Sequence, residues 1–272
     1  MILDQILIYP LKSGKGCSLS EAIVHPWGLD GDRRWAVVDE RGDNLWLGEF
    51  PRLASVAAHA TAEGGLRLAA RGMEPLTVPP AAGAATPVGF SGLDKAVLAD
   101  DAAHAWFSAL LERPARLVWL DDPGRRSIDP AHGGLPGEVV SFAWDAPLLL
   151  ISESSALALD GWLAEEAARC GEDPPGRLSR VRFRPSVIID GAEAFAEDRW
   201  REVRIGAVPF RVSEICDRCA VTTIDPETQE KGKEPLRTLA RHRKWDGRTW
   251  FGIRLVPRET GLIRVGDPIS PG

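Results

Sequence analysis

The chain has 272 residues, 26% of them charged, and a formal net charge of −6 with acids and bases interspersed along its length. That balance lacks the basic patch of a general nucleic-acid binder, and no apolar run approaches the ~20 residues of a membrane span. Four cysteines in a chain this size do not make a disulfide framework, and no signal or transit pattern opens the sequence. The expectation is a soluble, cytoplasmic globular protein with enough core to fold unaided.

Gln5–Tyr9 predicts a short apolar strand leading into Pro10-Leu11-Lys12-Ser13-Gly14-Lys15-Gly16. Glycines in such a loop let successive N–H groups turn toward one anion, and Lys and Ser add donors; a solvated loop fits the same residues. It is not a Walker A loop, because Lys15 is followed by Gly rather than Ser or Thr. Gly31-Asp32-Arg33-Arg34 adds a pair of guanidiniums. Arg34–Asp39 with Asn44–Leu47 predicts one hairpin, and Ser55–Thr61 with Leu66–Ala69 a second around Glu63-Gly64-Gly65. Pro79–Gly92, rich in Pro, Ala and Gly, predicts a loop.

A helix is expected from about Asp100 to Glu112, with Ala103, Trp106, Phe107 and Leu110 on one face. The polar stretch Arg113–Asp129 marks the expected division into two domains, 1–120 and 121–272. A second helix, Ser154–Cys170, carries Leu159, Leu163, Ala167 and Cys170 on one stripe, which places Cys170 in the core. Arg182-Phe183-Arg184-Pro185-Ser186 is a further basic patch before the apolar Val187-Ile188-Ile189. A third helix, Glu234–Lys244, has Pro235 near its first turn, where proline is favoured. Many strands and few helices point to a mainly β (α+β) fold, with barrel-like domains and helices packed outside.

Cys216-Asp217-Arg218-Cys219 is the most specific feature. A Cys-x-x-Cys pair reads as zinc, redox exchange or another metal, and two structural core cysteines remain open. A closed zinc site needs four ligands, yet Cys17 and Cys170 are single and remote, and His25, His59, His104, His132 and His242 form no spaced pair. A redox dithiol would start a helix, whereas Ala220-Val221-Thr222-Thr223-Ile224 reads as a strand from its β-branched residues. Asp225-Pro226 then turns the chain. Arg218 beside the thiols favours thiolate.

These segments in this order resemble the MOSC-domain family with its N-terminal β-barrel companion, which includes the mitochondrial amidoxime-reducing component and bacterial relatives. Carrying the resemblance are Ile8-Tyr9-Pro10-Leu11-Lys12-Ser13, Gly31-Asp32-Arg33-Arg34-Trp35, Pro51-Arg52-Leu53 and Pro147-Leu148-Leu149-Leu150-Ile151-Ser152-Glu153. Phe183-Arg184-Pro185, Ala196-Glu197-Asp198-Arg199-Trp200, the cysteine segment with Thr222-Thr223-Ile224-Asp225-Pro226, Phe251-Gly252 and Gly266-Asp267-Pro268 follow in the same order.

The resemblance implies a molybdenum cofactor, a phosphorylated pterin dithiolene holding the metal. It implies Cys219 as the catalytic molybdenum ligand, with Cys216 structural or nearby. Lys12, Ser13 and Arg33 would bind the pterin and its phosphate, with Ser152, Ser155, Arg184, Ser186 and Arg218 holding the rest. The implied chemistry is two-electron reduction of small N-hydroxylated substrates: amidoximes, hydroxylamines and N-hydroxylated base analogues. Electrons would come from a separate ferredoxin- or cytochrome-type donor with its reductase, to a monomeric chain. The alternative is a non-catalytic cofactor-binding or sulfur-carrier module. Trp46-Leu47-Gly48-Glu49-Phe50 stands where the family has Thr-x-Arg-Gln, Ser186 where Asn is common, and Arg254 where Tyr or Asn is frequent.

Overall fold

Long apolar runs that are buried on both faces set the architecture. In the computed structural model, which describes residues 1–173 and 176–272, the largest sheet has nine strands. Its order is Ile269–Pro271, Glu202–Ile205, Val208–Asp217, Arg248–Pro257, Leu148–Ser152, Val187–Asp190, Ile2–Ile8 and Cys17–Leu19, with Lys244–Trp245 paired to Arg248–Pro257 off that path. Leu148–Ser152 and Val187–Asp190 run parallel, and the connection between them contains the helix Glu153–Cys170, as a parallel pair requires a crossover. On one face Leu3, Ile6, Leu150, Val187, Phe210 and Ile253 fill a closed core. The opposite face packs Leu7, Ile151, Ile188 and Phe251 against Leu159 and Leu163 of that helix and against Leu239. This two-sided burial is why Leu148–Ile151 and Val187–Ile189 read as continuous apolar runs rather than alternating ones.

The N-terminal strand therefore belongs to a sheet built mostly from the second half of the chain. Its partners are Asp190 opposite Ile2 and Val187 opposite Ile6. A four-stranded sheet (Trp35–Val38, Arg116–Trp119, Leu93–Leu98, Ala85–Phe90) and a three-stranded one (Ala57–Ala60, Leu66–Ala69, Leu76–Val78) form the other β unit. They share a core with the helix Asp101–Leu111 through Ala103, Trp106, Phe107 and Leu110. That helix begins where the Asp100 side chain accepts from Ala103 N–H and ends at left-handed Glu112, an acidic N-cap and a positive-φ C-cap. The third helix, Leu236–His242, is shorter than expected. With three α-helices against this many strands among the described residues, the fold is mainly β (α+β).

Four local expectations are corrected. Pro79–Gly92 is not all loop: Ala85–Phe90 is a strand with Thr86, Val88 and Phe90 buried in alternation. It lies at a sheet edge, which is where a strand tolerates Pro87. In the first hairpin the returning arm contributes one bridge, Val38 to Asn44. Cys170 is exposed, because it ends the last turn beyond the stripe that Leu159, Leu163 and Ala167 bury. Ala220–Thr223 is a 3-10 turn rather than a strand: Thr222 and Thr223 hydroxyls donate to the Cys219 and Ala220 carbonyls at 3.0 and 2.8 Å, and such local bonds override β propensity.

Gly252 has φ +76°, and a Cβ there would lie 2.7 Å from the Leu150 carbonyl. Gly161, in the helix Glu153–Cys170, has nothing within 4 Å of the same position. Gly252→Ala is expected to lower unfolding free energy by about 1–3 kcal/mol, and Gly161→Ala to raise it by about 0.5–1 kcal/mol, both read from chemical denaturation.

Candidate functional site: a cationic cavity at the cysteine segment

A cavity of about 310 Å³ opens where the loop after Ile2–Ile8 meets Ala143–Leu149, Arg182–Arg184 and Cys216–Thr222. Lys12, Ser13, Arg33, Arg184, Ser186, Arg218 and Cys219 all line it. The sequence thus brought seven of its nominated residues to one place. Ser152 and Ser155 are not among the lining residues. Both are fully buried, and the Ser155 hydroxyl donates to Glu197 and accepts from Phe195 N–H, each at 2.7 Å. Ser155 braces the segment around Phe195 instead.

The backbone around the cavity is held in an uncommon conformation. Ser13, Arg33 and Arg184 have φ of 72°, 49° and 55°, a left-handed region that costs non-glycine residues about 1–3 kcal/mol each and clusters at functional sites. Tyr9 lies between two of them, with the Arg33 and Arg184 guanidinium carbons 4.5 and 4.1 Å from its ring centre. Burial pushes the Tyr9 hydroxyl up to about 12, against the pull of both arginines, and pushes Arg184 down to about 10. Asp32, fully buried, accepts from Tyr9 N–H at 2.7 Å and from the Arg33 side chain. The motif Gly31-Asp32-Arg33-Arg34 contains Asp32 but carries no local sign that it ties Tyr9 to Arg33.

Other side chains build the walls. Ser13 Oγ accepts from Leu47 N–H at 3.0 Å, which fixes Trp46 and Leu47 in the lining. Ser186 Oγ accepts from Leu149 N–H at 3.3 Å. Lys12 Nζ donates to Phe142 carbonyl at 2.7 Å and sits 5.7 and 5.5 Å from the Phe90 and Trp144 ring centres. Arg126, which the sequence did not flag, shapes the same loop by donating to the carbonyls of Ala143 at 2.6 Å and Trp144 at 3.3 Å. The glycine loop itself is no anion nest: Lys12, Gly14 and Lys15 N–H groups bond to Trp35, Leu11 and Val56 carbonyls. Lys15 pairs with exposed Glu227.

The two cysteines differ. Both line the cavity, but Cys216 is buried and accepts from Arg218 Nη1 at 2.9 Å, whereas Cys219 is exposed. The guanidinium expected to support Cys219 is therefore directed to Cys216, with Nη2 on the Phe183 carbonyl at 2.8 Å. Deeper in, Arg254 bridges Glu214, Asp217 at 2.6 Å and Asp145 at 3.3 Å, with His132 Nε2 3.5 Å from Asp145. Burial raises the Asp145 carboxyl against the pull of Arg254. Burial lowers Arg254, but Cys216 and the three carboxylates outweigh it and raise its pKa.

Three guanidinium atoms here are buried with no hydrogen-bond partner: Arg184 Nη2, Arg218 Nε and Arg182 Nε. The other nitrogens of these arginines are engaged, Arg182 with Asp225, Arg184 with the Gly14 carbonyl and Arg218 with Cys216 and the Phe183 carbonyl. A buried N–H left without an acceptor is nonetheless costly, so a ligand rich in acceptor oxygens, such as a phosphate, is the group this cavity fits. Among the described residues no cluster of three or more His, Cys, Asp or Glu side chains could hold a metal ion. A metal held at Cys219 would therefore bring its own chelator, and a phosphorylated dithiolene meets both requirements.

Lys12 is pushed well below the ordinary lysine pKa by burial and then by Arg126, Arg33 and Arg184. The cofactor-free fold binds fewer protons at this site than the unfolded chain, so stability is fullest above about pH 10.4 and is lost as pH falls through the folded-state value. Lys12→Met is expected to flatten that slope between neutral and alkaline pH in denaturation curves, while weakening cofactor retention.

Residues 1–114 match the MOSC N-terminal beta barrel domain and residues 137–270 the MOSC domain. The chain is 33% identical to mitochondrial amidoxime reducing component 2 of Rattus norvegicus, over 98% of this chain and 82% of that protein. It is 31% identical to mitochondrial amidoxime-reducing component 1 of Homo sapiens, over 97% and 81%. Molybdenum cofactor sulfurase of Oryza sativa subsp. japonica is 30% identical over 93% of this chain, which spans 32% of that longer protein. With both domains matched in order and the cavity residues gathered at their junction, the chain belongs to the MOSC-domain family that carries the N-terminal β-barrel domain.

Proposed function

We propose that the chain is a molybdenum-cofactor-dependent reductase of small N-hydroxylated compounds, supplied with electrons by a separate protein. The observation that carries this reading is one exposed thiol, Cys219, in a cavity with three unpartnered guanidinium atoms. Thiolate is a soft ligand suited to such a metal, and arginine forks suit a phosphate.

Arg182, Arg184 and Arg218 hold the anionic end of the cofactor, and Lys12 adds a fourth donor. Cys219 ligates the metal, and Cys216 fixes Arg218. When bound, the cofactor supplies a two-electron centre able to accept the substrate oxygen. In the net reaction one N–O bond breaks, two electrons and two protons enter, and the amine or amidine and water leave. Asp145, at the cavity wall, is held by Arg254 at 3.3 Å and faces His132 Nε2 at 3.5 Å, which keeps a carboxyl group positioned beside the bound substrate. Trp46, Leu47, Pro147 and Val221 give an apolar wall for the rest of the substrate. The two tryptophans, Trp46 and Trp144, favour a flat one.

A non-catalytic cofactor carrier is the second reading, favoured by Trp46 and Leu47 standing in the cavity where the family has polar groups. An amidoxime with dithionite-reduced methyl viologen separates the two. Amidine formation by cofactor-loaded protein, reduced at least 100-fold in Cys219→Ser but within about tenfold of wild type in Cys216→Ser, is the expected result. Absence of amidine from fully loaded wild type would leave only the carrier reading.

A further inference from the structure

We infer that the exposed strip Lys231–Arg248 is the docking face for an acidic one-electron carrier protein. The inference rests on the reductase reading and adds the place where electrons enter. In a chain of net charge −6, this stretch carries seven Lys and Arg residues against Glu234 and Asp246. Three of the cations are committed: Arg237 to Glu234, Arg241 to Glu166 and Arg243 to Asp198. Lys231, Lys233, Lys244 and Arg248 are exposed and have no carboxylate within ion-pair distance among the described residues. Trp245 is 39% exposed, next in sequence to Lys244 and directly across a strand pairing from Arg248. Uncommitted positive charge around an exposed aromatic ring fits an acidic protein surface, which such charge steers into contact.

The strip also lies against the site. The helix Leu236–His242 packs on the turn Ala220–Thr223 that follows Cys219. A run of rings leads inward from it. His242 stacks on Trp162 at 4.2 Å, Trp162 on Phe195 at 5.1 Å, and Phe195 meets Phe251 edge-on at 6.4 Å. Phe251 stacks on Phe183 at 4.4 Å, and Phe183 lines the cavity with the Arg218 guanidinium 5.2 Å from its centre. Each carrier gives up one electron, so two dockings serve each N–O bond broken.

The probe is an acidic [2Fe–2S] ferredoxin, tested against wild type, Lys233→Glu/Lys244→Glu/Arg248→Glu and the same triple change to Ala. Binding of oxidised ferredoxin to the chain at low ionic strength should weaken with salt, be lost in the Glu variant and be intermediate in the Ala variant. Turnover driven by reduced ferredoxin should fall at least tenfold in the Glu variant, whereas turnover driven by reduced methyl viologen should stay within twofold. No salt-sensitive ferredoxin binding by wild type, or equal binding and turnover by the Glu variant, would overturn the docking face. Failure of wild type to turn over with methyl viologen would instead strike the reductase reading, leaving the binding result to stand on its own.

Discussion

Everything at this site depends on how the fold keeps several cations together away from water. Lys12, Arg33, Arg182, Arg184, Arg218 and Arg254 line one cavity with only Asp145 and Asp217 among its carboxylates. Desolvated like charges repel, and the lowered values of Lys12 and Arg184 record that strain. Backbone carbonyls hold the cations where ion pairs do not. Arg184 Nη1 is bonded to the Gly14 carbonyl at 2.8 Å, Arg33 Nη2 to the Arg184 carbonyl at 3.1 Å, and Lys12 to Phe142. A rigid sheet is what makes this possible, because a mobile frame would let the charges separate.

The arrangement also explains why the chain's halves are interlocked. Tyr9, which separates Arg33 from Arg184, follows directly on a strand paired to Val187–Asp190. Its hydroxyl reaches the Pro185 carbonyl at 3.3 Å. Arg33 comes from the first β unit and Arg184 from the segment entering a strand of the large sheet. The cavity exists only when both are folded together, so an anion that binds it stabilises the whole molecule by mass action.

The sequence made residues legible where chemistry was local. Asp100 as a helix cap, the Ala57–Ala60 and Leu66–Ala69 hairpin, and the basic loops all follow from short-range rules. What it hid was long-range. Asp32 matters because Tyr9 N–H and Arg33 converge on it, and Arg126 because four carbonyls of two loops do. Ser155 carried a family role in the sequence and a structural one in the fold, since Glu197 comes to it from 42 residues away. Ala220–Thr223 shows the limit of propensity: β-branched residues form a turn when their own hydroxyls supply the hydrogen bonds.

The account stands on a cofactor held at Cys219 by an arginine cradle. Its most direct test is molybdenum and pterin content of protein made in a host competent for cofactor synthesis, for wild type, Cys219→Ser and Cys216→Ser. Near one molybdenum and one pterin per chain is predicted for wild type, with the metal lost in Cys219→Ser and mostly kept in Cys216→Ser. Stoichiometric zinc without pterin, or equal metal loss in both variants, would contradict it.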